Sequence, residues 1–140
     1  MTAANRSMAP GGVLPELGYA DVPAAVAWLC DAFGFAERLR IANHRVQLLA
    51  GGSSVIVVQG PPAPPDGAFA THSVMVAVDD VDAHFERARQ AGATILSPPV
   101  TQPYGERQYG AVDPGGHRWK FSQTVADVDP ADWGGELVQP

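Results

Sequence analysis

The side chains that most often perform catalysis or bind metals are scattered in this sequence. The histidines stand at 44, 72, 84 and 117, far from one another and from the single cysteine, Cys30. The sequence has no paired-cysteine zinc pattern, no G-x-S-x-G turn and no phosphate-binding glycine loop. We therefore expect structural or surface roles for the histidines. Cys30 has no basic neighbour at helical spacing, so we do not expect a reactive thiol.

One short segment does have the composition of a binding site. Residues 104–109 read YGERQY and place two tyrosines beside an arginine. Aromatic rings and a guanidinium suit stacking on a planar or conjugated ligand. The segment, with Tyr104 and Arg107 as its candidate ligand-binding residues, either forms the mouth of a site or is an ordinary exposed strand.

The composition limits the classes of partner. The 140 residues are enough for one domain, and the net charge of -6 argues against an extended nucleic-acid surface. A single cysteine permits no intrachain disulfide, and no 18-residue apolar run predicts a membrane span. We predict a cytoplasmic protein that partners neither nucleic acid nor membrane.

The periodicity predicts the same order of elements twice. Residues 1–12 are predicted to be a loose N-terminal tail. Module one (13–59) is predicted to contain a strand, a helix and three further strands. Asp21 is expected to cap the helix and Gly34 to end it. A Pro-rich linker (60–71) leads to module two (72–122), whose helix opens at Asp80. Residues 97–103 are predicted to be a loop, and 124–140 a C-terminal tail that lies across the site, against a partner, or on its own domain.

Residues as well as order repeat between the modules. Ala20-Asp21-Val22 matches Asp79-Asp80-Val81, and Gly51-Gly52 matches Gly115-Gly116. Two copies of a unit of about 50 residues predict one pseudo-symmetric domain (13–123) of the α+β class, built from two βαβββ modules.

The second module resembles a known family. SVMVAVDDVDAHFERARQAGA is similar to the strand-then-helix signature of the vicinal-oxygen-chelate superfamily, which contains glyoxalases, bleomycin-resistance proteins and dioxygenases, and DPGGHRWKF resembles its DP-x-G turn and last strand. YGERQYGAVDPGGHRWKFSQ looks most like the PhnB-type branch. The resemblance implies two sheets curled into a cup (the concave space that holds the ligand) and a homodimer.

The resemblance also identifies the positions at which family enzymes hold a divalent metal. Counted from the helix-opening residues and from Asp113, these positions read Leu14, Ile56, Ser73 and Lys120. None is a usual metal ligand. His72 is one residue from such a position, but strand alternation turns it to the opposite face. We predict no metal and no other cofactor.

Strand alternation then divides each sheet into two faces. The helix-packed face is predicted from its uniformly apolar residues, which include Leu17, Tyr19, Val55, Val57, Val74, Val76, Val78, Trp119 and Phe121. The residues predicted to bind ligand in or near the cup are Glu16, Ile56, Ser73, Met75, Tyr104, Arg107, Arg118 and Lys120. Lys120 either replaces the charge of the metal, pairing with Glu16 or with an anionic ligand, or is a solvated rim residue.

Several functions fit this pattern. The preferred hypothesis is a metal-independent protein that binds a small organic molecule, such as an antibiotic or aromatic metabolite, in the cup or in a dimer cleft. The alternative is a glyoxalase-like lyase or isomerase, or a dioxygenase-type enzyme. A metal-free enzyme with Glu16 as base and Lys120 as electrostatic stabiliser, or an accessory domain, also stays open.

Overall fold

The computed structural model of the chain describes residues 5–61 and 72–138. The elements follow the predicted order, with two βαβββ modules and a final 3-10 turn. They are β1 (Glu16–Tyr19), α1 (Val22–Phe33), β2 (Ala36–Ile41), β3 (Arg45–Ala50), β4 (Ser53–Gln59), β5 (Val74–Ala77), α2 (Val81–Gln90), β6 (Thr94–Thr101), β7 (Glu106–Val112), β8 (Arg118–Thr124) and a 3-10 turn (Pro130–Trp133). No helix of these residues is long and apolar enough to cross a bilayer.

Each module forms one four-stranded mixed sheet. The strand orders are β1-β4-β3-β2 and β5-β8-β7-β6, so the first strand of each module pairs in parallel with its last. The α+β class and the paired modules are therefore confirmed. The register aligns Glu16 with Ile56 and Met75 with Lys120, which makes these two pairs structural equivalents.

The helices begin and end at the residues the sequence indicates. The carboxylate of Asp21 accepts a hydrogen bond from Ala24 N at 3.0 Å, and that of Asp80 accepts one from Ala83 N at 3.1 Å. Gly34 ends α1 in the left-handed region at φ 75°. Arg87, in the last turn of α2, donates to the carbonyl of Asp31 at 2.6 Å and so ties α2 to the end of α1.

One strand is longer than predicted. Residues 97–101, expected to be part of a loop, continue β6 as far as Thr101. Ser97 pairs with Gly110 and Val100 with Gln108, so the two prolines between them lie in an irregular stretch with an extra residue. Proline is tolerated at such irregularities and on edge strands, and β6 is the edge of its sheet. The consecutive prolines therefore bend the strand without ending it.

A buried carboxylate joins the two modules. Asp113, 1% exposed, follows β7. Its Oδ2 accepts hydrogen bonds from the Tyr19 hydroxyl at 2.6 Å and from Trp119 Nε1 at 2.9 Å. Its Oδ1 accepts from the backbone N–H groups of Gly115 at 2.9 Å and His117 at 3.0 Å. Burial, and then the neighbouring carboxylate, raise the pKa of Tyr19, so the phenol stays protonated and donates.

Replacement of this carboxylate is expected to destabilise the fold strongly. Asp113→Asn places an amide N–H₂ or an uncharged oxygen among four donors, and we expect a loss of about 2–4 kcal/mol in the free energy of unfolding. Tyr19→Phe removes one of the four bonds and serves as the smaller matched change. Urea denaturation of the three proteins measures both effects, and an Asn variant as stable as the unaltered chain contradicts this account.

His84 gives the helix-side core a pH dependence. Its Nδ1 lies 2.5 Å from the Tyr109 hydroxyl and its Nε2 lies 2.9 Å from the carbonyl of Phe33. Burial lowers the pKa of His84, so the native state binds fewer protons than the unfolded chain below the ordinary histidine pKa of about 6.5. The contribution of neutral His84 to the free energy of unfolding is therefore fully present above about pH 6.5. It is lost as the pH falls through the lower pKa of the native state.

We therefore expect the free energy of unfolding to decrease between pH 7 and pH 5.5. The slope cannot exceed about 1.4 kcal/mol per pH unit, because the native and unfolded states differ by at most one proton on this imidazole. His84→Gln is expected to be less stable at pH 7 but to show a flatter profile. Urea titrations at each pH measure this, and parallel profiles for the two proteins argue against the role of His84.

Candidate functional site

The two faces of each sheet divide as the alternation predicts. The helix-side core contains Leu17, Tyr19, Val55, Val57, Val76, Trp119 and Phe121, and Val74 and Val78 pack against it. The opposite, concave faces carry the candidate site. We call them the module-one face (Glu16, Arg45, Gln47, Ser54 and Ile56) and the module-two face (Met75, Ala77, Gln108, Lys120 and Ser122).

The module-one face has a charged end and a buried centre. Glu16 at its end forms an ion pair with Arg45, with 2.6 Å between carboxylate oxygen and guanidinium nitrogen. Both side chains are exposed, so the pair contributes little stability. Ile56, beside them in the sheet, is 2% exposed although it faces away from the helix-side core. Another part of the chain must therefore cover it.

The N-terminal segment (residues 5–12) is bonded to two neighbours of Ile56 on this face, Gln47 and Ser54. Gln47 Nε2 donates to the carbonyl of Ser7 at 2.7 Å, and Ser54 Oγ donates to that of Pro10 at 2.8 Å. Between these anchors Ala9 is only 3% exposed. The described part of the tail, expected to be loose, is thus fastened across the module-one face.

The module-two face is open by comparison. Met75 is 60% exposed, and Ala77 and Lys120 are also exposed. Lys120 occupies the position equivalent to Ile56, and Met75 the position equivalent to Glu16. Equivalent positions of the repeat therefore have opposite environments on the concave side.

A polar cluster lies at the β7 end of the module-two face. Ser122 Oγ donates to Glu106 Oε1 at 2.5 Å, and Gln108 Nε2 donates to the same oxygen at 3.3 Å. The Tyr104 hydroxyl donates to Gln108 Oε1 at 3.0 Å. The ring of Trp133, from the C-terminal tail, meets the Tyr104 ring edge-on at 5.8 Å. Tyr104 therefore lies at the concave side, as a residue of the mouth would.

Arg107 does not belong to this site. Its place in β7, next to Gln108, turns it to the helix side, where it forms an ion pair with Asp82 of α2 at 3.0 Å. The prediction that placed Arg107 in the cup was wrong, because it did not apply the alternation of a strand's two faces to residues 104–109.

The remaining predicted residues lie where the register puts them. Arg118 begins β8 on the concave side, half-buried and paired in the sheet with Val112. Ser73 is exposed and immediately precedes β5. Glu16 does not pair with Lys120, since Arg45 holds it. Within the described residues, Lys120 forms no ion pair.

The family's metal positions offer no ligand set. Leu14 and Ile56 carry no donor atom, Ser73 offers only a neutral hydroxyl, and a protonated Lys120 repels a cation. In residues 5–61 and 72–138, no group of three or more His, Cys, Asp or Glu side chains is placed to hold a metal ion. The donor chemistry of these residues therefore does not fit a divalent metal.

The other reactive side chains have structural surroundings. His117 Nε2 lies 2.7 Å from the carbonyl of Gly18, and His84 lies between the helices and β7. Burial, and secondarily Glu37, raise the pKa of the Cys30 thiol, which leaves less of the reactive thiolate. Trp28 packs edge-on against Phe33 at 5.0 Å and donates to the carbonyl of Ala91.

A cavity outside the cup has mostly apolar walls. It has a volume of about 380 Å³ and lies between the start of α1 and the β7–β8 turn, with Ala24, Ala25 and Trp28 among its walls. The two carboxylates at its edge already serve the fold, because Asp21 caps α1 and Asp113 accepts four hydrogen bonds. The concave side is therefore the better candidate site.

Two buried amides of the candidate site were missed from the sequence. Gln47 and Gln108 are buried amides in the middle of β3 and β7. An isolated glutamine in an apolar strand was the available signal, because a buried amide needs hydrogen-bonding partners. The partners themselves, Ser7 and Tyr104, lie in segments without periodicity.

Comparison with known proteins identifies the family. A model of the Glyoxalase/Bleomycin resistance protein/Dioxygenase superfamily matches residues 14–121. The chain belongs to this superfamily. The finer resemblance to its PhnB-type branch stays a prediction.

Solved structures of the superfamily fold agree. TioX from Micromonospora sp. ML1 is 35% identical with a TM-score of 0.68, covering 85% of this chain and 100% of TioX. A glyoxalase/bleomycin resistance protein/dioxygenase from Nocardioides is 22% identical with a TM-score of 0.62, covering 97% and 92%.

The curated relatives are matched over a shorter stretch. Uncharacterized proteins of Mycobacterium bovis and Mycobacterium tuberculosis are 45% identical over 58 residues, which is 41% of this chain. The match spans 38% of the first relative and 34% of the second.

Proposed function

We propose that this superfamily member binds a small organic molecule on its concave side without a metal ion. The observation that carries the proposal is the set of residues at the family's metal positions. Two are aliphatic and one is a lysine, so the positions that hold a cation in family enzymes here carry apolar side chains and a positive charge.

The composition of the concave side supports binding of an organic molecule. An exposed Met75, the ring of Tyr104 and the polar cluster of Glu106, Gln108 and Ser122 combine apolar surface with a few placed polar groups, which is typical of ligand sites. The superfamily's description includes bleomycin resistance proteins, a class consistent with such a role. An antibiotic or aromatic metabolite is the proposed ligand class.

The enzyme alternatives have less support. A metal-dependent lyase, isomerase or dioxygenase needs two or three ligands from positions that do not supply them. In the metal-free version Glu16 is the base, but its carboxylate is already held by Arg45 at 2.6 Å.

The predicted homodimer, with a cleft between two copies, remains part of the proposal. Sedimentation measures this oligomeric state.

Metal analysis of the purified chain tests the metal-free part of the proposal. After dialysis without chelator, we expect Zn, Ni, Mn and Fe far below one ion per chain, and no change in the melting temperature when each metal is added. A stoichiometric metal that survives dialysis, or a metal that stabilises the native state, overturns it.

A thermal-shift screen against antibiotics and aromatic metabolites tests ligand binding. A ligand present at 100 times its Kd stabilises the native state by about 2.7 kcal/mol, which raises the melting temperature by several degrees for a domain of this size. The Asp21→Ala variant, altered at the cap of α1 and not on the concave side, is the control and is expected to show the same shifts from a lower baseline.

A further inference from the structure

The two halves of the concave side are not equally available to a ligand. We propose that residues 6–10 close the centre of the module-one face, so that the ligand site is confined to the module-two face and takes a planar molecule with an anionic group. This inference rests on the proposed function and adds the location and chemical class of the ligand.

Closure of the module-one face follows from its hydrogen bonds. Two of its polar side chains donate to backbone carbonyls of the segment, Gln47 to that of Ser7 at 2.7 Å and Ser54 to that of Pro10 at 2.8 Å. Arg38, in the neighbouring strand β2, donates to the carbonyl of Arg6 at 3.1 Å. A ligand that displaced the segment would have to replace these bonds, because Gln47 and Ser54 are buried and cannot be left unsatisfied without cost.

The space at the seam between the modules is too small to hold an organic ligand alone. The cavity there has a volume of about 170 Å³ and lies between the β3–β4 turn and β5, with Ser54, Met75 and Ala77 among its walls. Pockets for organic ligands usually measure about 300–1,000 Å³. A ligand that enters this seam must therefore extend over the neighbouring exposed surface, which is the module-two face.

The chemistry of the module-two face indicates the class of ligand. Lys120 is an exposed cation without an ion-pair partner among the described residues, in a chain of net charge -6. Met75 lies beside it in the neighbouring strand, and the Tyr104 and Trp133 rings border the polar end of the face. Lys120 can pair with an anionic group of a ligand, and Met75 can pack against its flat apolar part. Glu106, at the far end of the face, disfavours a second anionic group.

Two dyes that differ mainly in charge test this assignment on the full chain. 8-Anilinonaphthalene-1-sulfonate joins flat aromatic rings to an anionic sulfonate, and N-phenyl-1-naphthylamine has the same ring system without the sulfonate. We expect Lys120→Met to raise the Kd of the sulfonate about tenfold, as loss of about 1.4 kcal/mol of charge pairing would, and that of the neutral dye less than twofold.

The matched control is Arg45→Met, which removes one positive charge from the module-one face. It is expected to leave both Kd values within twofold. Equal weakening of both dyes by Lys120→Met, or a larger effect from Arg45→Met, overturns the assignment while the proposed function stands. Failure of the unaltered protein to bind the sulfonate dye also overturns the assignment, whereas the proposed function is decided by the thermal-shift screen.

The closure itself is tested by the number of binding sites. The unaltered chain is expected to bind one sulfonate dye, and Ala9→Arg, which forces a charge into the buried centre of the segment, is expected to expose a second site. Near-ultraviolet circular dichroism confirms that the core persists in this variant. One site in both proteins overturns the closure. Conversion of a dimer to a monomer by Met75→Glu overturns the assignment of the ligand to the module-two face, because that face is then a subunit interface.

Discussion

The fold depends on one buried carboxylate that serves both modules. Asp113 accepts bonds from Tyr19 in β1, from Trp119 in β8 and from two amides of its own turn. A buried charge is tolerated only when hydrogen bonds replace its lost hydration, and four donors achieve this. Because one donor comes from module one and the others from module two, solvation of this charge requires both modules to be docked. The concave side exists only in that docked arrangement.

Most of the fold could be predicted from the sequence because its signals are local. Asp21, Asp80 and the glycines that follow the helices have defined conformational roles, and alternation of apolar residues assigned the helix-side face of both sheets. The repeat then supplied the topology. The extension of β6 was missed because a pair of prolines usually ends a strand, and only the edge position in the sheet makes them tolerable.

The candidate site was less predictable because it depends on contacts between distant segments. The exposures of Ile56 and Lys120 could not be foreseen from strand alternation, which gives the face but not what lies over it. Residues 6–10 are held by hydrogen bonds to their backbone carbonyls. Every residue has such a carbonyl, so the sequence gives no signal for these bonds. Arg107 was misplaced for a different reason: its partner Asp82 lies 25 positions earlier, and no local pattern links the two.

The glycine turns of the two modules constrain how the repeat can diverge. A Cβ on Gly51 would lie 2.7 Å from Val76 Cγ1, and one on Gly115 would lie 2.5 Å from the Tyr19 ring, so the turn of each module abuts the first strand of the other. Side chains at these reciprocal contacts would push the halves apart. The concave faces do not contain these contacts, so their side chains can change without separating the modules. The module-one face is covered by residues 6–10, whereas the module-two face exposes Met75 and Lys120. Duplication thus left this protein with a fixed frame and two independently adaptable surfaces.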